Sequence, residues 1–367
     1  MQTYKTIIEN LGSYQRYRKF QLSYNPFSPI PIFSIYDVMP FSSSFIIFPE
    51  ELERIKKFIY EATKTHESAI IFVEGTHGIG KSHFLGQVAM VYQHDPNLYP
   101  IFCQIYTGGG FSDITDRALQ WLGLEGYTHL MLSFLKAAGI SALEIFNRHP
   151  YEVFNKLIPV FQEVFGLYDT KVLERILRPF LHLDKGYSDL FKTSHKYKNL
   201  ILVTLIDLIW RSLGQKTLLV IDNLENRWPY FTSLNKEHLL INLRNFITST
   251  YGKVILLMSD NGSMGYYIEQ RLEEYNMVEE LFVRHVRLSG LTFEKAKRLV
   301  IELLQKARSD DSTCHELYPF SEEALEYLYE VSGQNTRNFL LLCHDVLEEL
   351  VRLGATNITI DNVRKLV

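Results

Sequence analysis

Cysteine is scarce in this sequence. The chain contains three cysteines, Cys103, Cys314 and Cys343, which lie far apart and form no CxxC pair. A disulfide framework or a structural zinc site needs paired or closely spaced cysteines. The sequence therefore indicates a protein of a reducing compartment whose fold is held together by an apolar core.

Long apolar runs are lacking as well. The most apolar segments, such as Leu200–Trp210 and Val254–Met258, are much shorter than the roughly 20 residues that a membrane-spanning helix needs. Residues 1–20 mix charged and aromatic side chains and contain no apolar core of a signal peptide. We therefore predict no membrane segment and a cytoplasmic location.

The chain has no strong excess of charge of either sign. It has 38 Lys and Arg against 42 Asp and Glu, a formal net charge of -4, which excludes a protein that coats nucleic acid with a wholly basic surface. With 46% hydrophobic and 13% aromatic residues, the 367-residue chain can bury a sizeable core and is long enough for two domains.

Short apolar segments alternate with segments of helical periodicity. Apolar runs of this length are typical of strands buried in a parallel sheet with helices on both faces. We therefore predict an α/β fold, a parallel sheet sandwiched by helices. The five predicted strands are Ala69–Glu74, Pro100–Tyr106, Thr217–Ile221, Lys253–Met258 and Phe282–Leu288.

Three regions lie outside this alternation. The proline-rich segment Tyr24–Phe33 predicts an extended arm, because proline fixes φ and removes a donor. The interval from about 126 to 213 contains no strand pattern and predicts a helical insertion, and the pattern from residue 291 onward is purely helical. We divide the chain into an N-terminal arm (1–34), a core domain (35–290) and a C-terminal helical domain (291–367).

The clearest motif follows the first predicted strand and precedes a helix. It matches G-x-x-x-x-G-K-[ST], the phosphate-binding P-loop, whose backbone N–H groups face the phosphates. In such a loop the lysine reaches the β- and γ-phosphates and the serine binds Mg²⁺. A glycine-rich turn without a ligand is the alternative. The residues predicted to hold ATP or ADP are Gly75, Thr76, His77, Gly78, Ile79, Gly80, Lys81, Ser82 and His83.

An apolar strand that ends in a carboxylate predicts a second anchor for the metal. Asp222 ends the run Leu218–Asp222 and is assigned as the Mg²⁺ partner together with Ser82. Many P-loop ATPases have a glutamate directly after this aspartate, but here the residue is Asn223. We therefore assign the catalytic carboxylate to Glu225 and keep Asn223 among the candidate catalytic residues. The alternative is that Glu225 is a solvated loop acid.

Two further positions carry polar groups that could contact a γ-phosphate or the attacking water. Ser259 and Asn261 follow the fourth predicted strand, although strand ends are often polar merely because a loop begins. Arg337 begins a helix after the polar segment Ser332–Thr336. Because the helix dipole disfavours a cation there, a nearby anion would explain this arginine, and a surface ion pair is the alternative.

Together these features resemble the AAA+ ATPases over about residues 25 to 367. Asn25-Pro26-Phe27, the segment Leu291–Ala296 and the segment Ile358–Arg364 resemble the origin-recognition, initiator-type branch, and parts of the pattern are shared with STAND-type ATPases. The resemblance implies Asp222 as the Walker B acid, Ser259 or Asn261 as sensor 1, and Arg337 as sensor 2. In contrast to the initiators, this sequence ends after the helical domain, so we expect no winged helix, and Asn223 predicts slow hydrolysis.

The resemblance also implies a homo-oligomer in which an arginine of the neighbouring subunit completes each site. Arg271, between the fourth and fifth predicted strands, is our candidate for this arginine finger, and Arg284 is the second choice. The alternative is that Arg271 pairs with Glu274 on its own helix.

Three functions are compatible with these features. The first is an oligomeric AAA+ motor or switch acting on DNA in replication, transposition or defence. The second is a STAND-like switch that binds protein partners, with the helical insertion as a candidate binding element, and Asn223 favours it. A small-molecule kinase is disfavoured by Arg337 and the helical domain. Local support for DNA comes from basic and aromatic residues of the insertion, which could contact phosphates and stack on bases. The alternative is that they form an ordinary solvated surface. These residues are Lys185, Tyr187, Phe191, Lys192, His195, Lys196, Tyr197 and Lys198.

Overall fold

The computed structural model describes residues 16–27, 47–105, 110–141, 150–166, 170–275, 281–308 and 315–367. The chain forms two units. The sheet unit comprises residues 50–74 and 85–287, and the helical unit comprises residues 1–49, 75–84 and 288–367. The predicted domain boundaries, after residue 34 and after residue 290, stay predictions.

The sheet unit is built on five parallel strands in the order β2-β3-β4-β1-β5. The three inner strands are almost completely buried, which explains their continuous apolar sequences. The strands are β1 (Ser68–Glu74), β2 (Leu98–Gln104), β3 (Lys216–Asp222), β4 (Val254–Asp260) and β5 (Leu281–Arg287).

All five predicted strands are confirmed, with small differences at their ends. The largest is at β2, which begins at Leu98 and ends at Gln104. The strand β4 continues past Met258 through Ser259 and Asp260. Both polar residues are fully buried and stay in the ladder, where they pair with Val73 and Glu74 of β1. Tyr106, at the end of the second predicted strand, lies outside the described residues.

Helices pack around the sheet within this unit. Those with most of their residues here are α1 (Pro49–Lys64), α2 (Lys81–Val91), α3 (Phe111–Ala137), α4 (Pro150–Phe165), α5 (Thr170–Phe191), α6 (His195–Leu213), α7 (Leu224–Arg227), α8 (Ser233–Ser249) and α9 (Met264–Glu274). None of the helices in the described part of the chain is both long and apolar enough to cross a membrane.

The predicted helical insertion is confirmed and consists of α3–α6. The helical region begins at Phe111 and not near residue 126, and α3 bends at Gly123, whose φ of 61° glycine adopts without steric cost. The helices pack through aromatic residues, for example Phe134 against Phe161, with ring centroids 5.0 Å apart. The insertion is therefore an integral part of the apolar core.

In the described residues 288–308 and 315–367, the helical unit contains four helices. They are α10 (Phe293–Ala307), α11 (Glu322–Val331), α12 (Thr336–Arg352) and α13 (Ile360–Leu366). The first three begin after a residue whose side-chain oxygen accepts a backbone N–H of the first turn. These capping residues are Thr292, Ser321 and Asn335, and they explain why the helices begin where they do.

Residues 16–27 of the predicted arm pack against these helices. Phe27 lies edge-on to Phe320, with ring centroids 5.7 Å apart. Tyr17 and Asn25 both donate hydrogen bonds to Glu348 of α12. Burial and the contact with Glu348 raise the pKa of Tyr17 to about 12, so the phenol stays a donor at neutral pH. Residues 28–33 of the proline-rich segment lie outside the described residues.

Candidate functional site

The P-loop motif forms a tight loop between β1 and α2. Gly78 and Gly80 have φ values of 82° and 117°, which only glycine adopts without strain. The Ile79 N–H donates to the Thr76 carbonyl at 3.3 Å and closes the turn. A Cβ on Gly75 would lie 2.9 Å from a methyl group of Ile79. Three glycines of the motif are therefore required by the geometry of the loop.

Lys81 lies in the first turn of α2 and folds back over the loop. Its ammonium donates to the Gly75 carbonyl at 2.7 Å and to the Thr76 carbonyl at 3.3 Å, and the side chain is 7% exposed. Ser82 is the next residue of the same turn. A curled glycine loop, a lysine at its rim and the N-terminus of a helix are the donors that a phosphate chain needs, so these residues fit the predicted ligand.

His83, the last of the predicted nucleotide-contacting residues, is held as a neutral ring. Burial and the charge of Lys306 lower the pKa of His83 to about 4. At neutral pH it therefore contributes no positive charge to the loop. Any contact that His83 makes with a ligand would be that of an uncharged imidazole.

The N-terminal turn of α12 contacts the P-loop, and we call this arrangement the α12–loop contact. It joins three consecutive carbonyls of the loop to three consecutive residues at the beginning of the helix. The hydrogen bonds run from Asn335 Nδ2 to the His77 oxygen at 2.6 Å, from the Arg337 N–H to the Gly78 oxygen at 3.0 Å, and from Thr336 Oγ1 to the Ile79 oxygen at 2.8 Å.

The Arg337 side chain makes a further contact with the loop. Its guanidinium lies 2.8 Å from His77 Nε2. Because arginine only donates hydrogen bonds, His77 Nε2 is the acceptor if the two groups are hydrogen-bonded. This contact places Arg337 at the phosphate loop, as the sensor 2 prediction requires, although the role of Arg337 stays a prediction.

In the sheet unit, the carboxyl end of β3 carries the predicted metal ligand. Asp222 is fully buried, and Gln104 of the neighbouring strand β2 donates to its Oδ2 at 3.1 Å. Our sequence analysis did not single out Gln104. The available indication was a polar residue at the end of an otherwise apolar strand, but the sequence alone could not place it opposite Asp222.

Glu225 and Ser259 form a buried pair at the same edge of the sheet. The Ser259 hydroxyl donates to the Glu225 carboxylate at 2.5 Å and accepts the Asn223 backbone N–H at 2.9 Å. Glu225 is 2% exposed. The alternative reading of Glu225 as a solvated loop acid is therefore wrong. Its burial beside a polar strand end fits an acid that handles water, which stays a prediction.

The backbone explains why the acid follows the strand by three residues. Asn223 adopts the left-handed conformation, with φ 68° and ψ 5°, and begins the one-turn helix α7. Asparagine tolerates this conformation better than most residues with a side chain. The turn leaves Asn223 partly exposed and buries Glu225.

The structure distinguishes between the two sensor 1 candidates. Asn261 is exposed, and its side-chain oxygen accepts the N–H and the hydroxyl of Ser263, which closes a local turn. Ser259 is buried and hydrogen-bonded to Glu225. The geometry therefore favours Ser259 as the residue that acts together with Glu225.

The two arginine-finger candidates have partners within their own chain. Arg271 forms ion pairs with Glu274 on the same helix and with Glu237 of α8, and hydrogen bonds to Glu237 and Glu274 raise its pKa. Arg284 lies over the Phe282 ring at 3.9 Å. A role for Arg271 between subunits would require it to leave both carboxylates, and the finger stays a prediction.

Two of the basic and aromatic residues that gave local support for DNA binding are packed within the insertion, whereas Lys192 is exposed. Lys198 is 6% exposed and pairs with Asp116. Tyr187 packs its ring against Tyr127 and donates its hydroxyl to the Leu119 carbonyl. The Lys198 and Tyr187 side chains therefore stabilise the insertion and are poorly placed for phosphates or bases. The side chains at positions 185, 195 and 196 lie outside the described residues.

A further cluster, which we did not predict, lies at the end of β1. His285 Nδ1 is 2.6 Å from Glu74, the residue before the P-loop, and His285 Nε2 is 3.1 Å from Glu269 of α9. The imidazole also stacks on Phe72, with centroids 5.1 Å apart. The contacts link β1, β5 and α9, and they brace the strand from which the P-loop emerges.

The fold is of the α/β class: a parallel sheet with strand order β2-β3-β4-β1-β5, a P-loop after β1 and a C-terminal helical unit. Solved structures with a similar fold support this assignment. The ORC2 protein of Aeropyrum pernix in its ADPNP–ADP complexes gives a TM-score of 0.51 at 11% identity, over 89% of this chain and 70% of that chain. The ADP form of that protein gives a TM-score of 0.52 at 9% identity, over 88% and 68%.

These similarities show that the protein has the AAA+ fold of the ORC2 protein. The CDC6P structure of Pyrobaculum aerophilum gives a lower TM-score of 0.48 at 12% identity, over 90% of this chain and 69% of that chain. No protein-family model matches the sequence, and no curated protein sequence matches it.

Proposed function

We propose that the protein binds ATP with Mg²⁺ and hydrolyses it, as an AAA+ ATPase that acts as an oligomeric motor or switch. The observation that carries this proposal is the P-loop itself. Its glycines have the backbone conformations of a phosphate loop, and Lys81 lies buried against it. The ORC2 structures with the same fold contain ADPNP and ADP, which supports an adenine nucleotide as the ligand.

The metal is assigned to Ser82 and Asp222. A hydroxyl and a carboxylate are oxygen ligands of the kind that Mg²⁺ takes in nucleotide sites. Gln104 holds the Asp222 carboxylate through its Oδ2 atom and so fixes the orientation of this ligand. When bound, Mg²⁺ neutralises charge on the β- and γ-phosphates.

Hydrolysis is assigned to Glu225 with Ser259 as its partner. A buried carboxylate that accepts a hydroxyl hydrogen bond is held in one orientation and can orient or deprotonate a water molecule. Asn223 cannot take this role as a base, because an amide does not accept a proton at neutral pH. We therefore expect turnover to depend on Glu225 and to be slow.

The client of the ATPase is proposed from the fold. Initiator-type proteins with this fold make a DNA-associated process the first candidate, and replication, transposition and defence stay open. The competing function is a STAND-like switch in which nucleotide binding governs assembly with protein partners. The packing of Lys198 and Tyr187 within the insertion favours this second function, because it takes two of the eight residues out of the local support for DNA.

One experiment separates the two functions. ATP turnover is measured with Mg²⁺ alone, with double-stranded DNA and with single-stranded DNA, each at 50 and 200 mM salt, because phosphate contacts weaken steeply with salt. A DNA-directed ATPase shows salt-dependent stimulation. Turnover that DNA does not change, together with a nucleotide-dependent change in oligomeric state, supports the switch.

A further inference from the structure

The α12–loop contact by itself fixes the orientation of peptide groups in the P-loop. In a trans peptide the carbonyl of one residue and the N–H of the next residue point in opposite directions. Because α12 holds the carbonyls of His77 and Ile79, the N–H groups of Gly78 and Gly80 must point away from α12. The N–H of the residue between them is already used within the loop, by the Thr76 carbonyl.

An anion-binding loop holds its ligand with backbone N–H groups that point to the same side of the loop. A loop that must first be ordered binds more weakly, because part of the binding free energy offsets the lost conformational entropy. The loop contains two glycines with positive φ, Gly78 and Gly80, and glycine loses more backbone freedom on ordering than other residues. External hydrogen bonds to its carbonyls therefore reduce the cost of ordering it.

We propose that Asn335 and Thr336 are positioning residues that hold the P-loop in its phosphate-binding conformation. This inference rests on the proposed nucleotide binding and adds to it a role for two residues that contact backbone carbonyls of the loop. The ligand class is a nucleoside triphosphate or diphosphate. Since both residues begin α12, the helix and the loop are coupled, and loss of this contact weakens nucleotide binding.

The substitutions must separate this role from helix capping. The Asn335 side chain also accepts the Asn338 N–H at 3.2 Å and caps α12. Asn335→Ser keeps a side-chain oxygen that can cap the helix, and it does not change the charge. The serine side chain is too short, however, to reach the His77 carbonyl as the asparagine amide does. Thr336→Val removes the hydroxyl that donates to Ile79 and keeps the shape, and Thr336→Ser keeps the hydroxyl as the matched control.

Two measurements are made on the full chain. The first is the affinity for a fluorescent ATP analogue with Mg²⁺. The second is amide hydrogen exchange of residues 75–82 without nucleotide. We expect Asn335→Ser and Thr336→Val each to weaken binding and to speed exchange of the loop by roughly 3- to 10-fold, the effect of one hydrogen bond. Exchange within α12 should stay native, and Thr336→Ser should behave as the native protein.

The outcomes distinguish the inference from the proposed function. Native affinity together with native loop exchange in both variants overturns the inference. Faster exchange along the whole of α12, with a matching fall in Tm, also overturns it, since the residues would then be merely structural. If the native protein binds no nucleotide, the proposed function fails, and loop exchange in the nucleotide-free variants still decides the inference.

Discussion

Replacing Ser259 with alanine removes the hydroxyl that connects the end of β4 to Glu225. Ser259 is fully buried and makes two hydrogen bonds, one to the Glu225 carboxylate at 2.5 Å and one from the Asn223 N–H at 2.9 Å. A hydrogen bond to a charged group contributes about 1.5–3 kcal/mol and one between neutral groups about 1 kcal/mol. We therefore expect Ser259→Ala to lower the free energy of unfolding by about 2–4 kcal/mol.

The pair can be isolated by a double-mutant cycle. Ser259→Ala, Glu225→Ala and the double variant are unfolded in urea, and the coupling free energy is the part of the loss that is not additive. Groups in direct hydrogen-bond contact should couple by about 1–3 kcal/mol. Single-turnover ATP hydrolysis of the same proteins shows whether the pair also acts in catalysis, in which case each single variant slows chemistry with little change in nucleotide affinity.

A coupling below about 0.5 kcal/mol would refute the structural part of this reasoning, because residues that do not interact behave additively. A strong coupling with unchanged single-turnover rates would refute the catalytic part alone. Ser263→Ala serves as a control, because its hydroxyl closes only an exposed turn.

The remaining predictions concern the metal ligand, the catalytic acid, the subunit interface and acid stability. Asp222→Asn should lose Mg²⁺-dependent nucleotide binding, whereas Glu225→Gln should keep binding and slow turnover; native turnover in Glu225→Gln would move the catalytic role elsewhere. Arg271→Ala should bind ATP but not turn it over, and mixing it with inactive Lys81→Ala subunits should restore part of the activity. An inactive mixture in proven mixed oligomers would exclude the finger. The pKa of His83 is about 4 in the folded state against 6.5 when unfolded, so stability should fall as pH drops below 6.5. Between neutral pH and pH 5, His83 should account for a loss of about 2 kcal/mol in the free energy of unfolding. If the His83→Gln variant showed the same pH dependence of urea unfolding as the native protein, this prediction would be contradicted.

The sheet and the insertion could be predicted because their sequences follow local rules. An inner strand such as Val254–Asp260 is recognisable from its apolar residues, and helices of the C-terminal unit begin after capping residues such as Thr292. The strand ends were less predictable. From the sequence alone, the polar residues Ser259 and Asp260 look like the beginning of a loop. They belong to the strand because they pair with β1.

The candidate site was predictable only where a sequence motif is specific for one kind of ligand or reaction. The P-loop motif is specific in this way, and Asp222 follows from the strand before it. Contacts between distant residues are different. Asn335 reaches a backbone carbonyl of the P-loop, and a carbonyl has no sequence signature. In the same way Arg271 contacts Glu237 only because α8 and α9 pack together, so this partner, unlike Glu274, could not be predicted from the sequence.

The measurement that tests the central claim most directly is the affinity of the Lys81→Ala variant for ATP. Calorimetric titration with ATP and Mg²⁺ is compared among the native protein, Lys81→Ala and Lys57→Ala, an exposed lysine of α1 that serves as the matched control. We predict that the native protein and Lys57→Ala bind equally and that Lys81→Ala loses binding while remaining folded. Equal affinity of all three proteins for ATP would contradict the assignment of the P-loop as the nucleotide site.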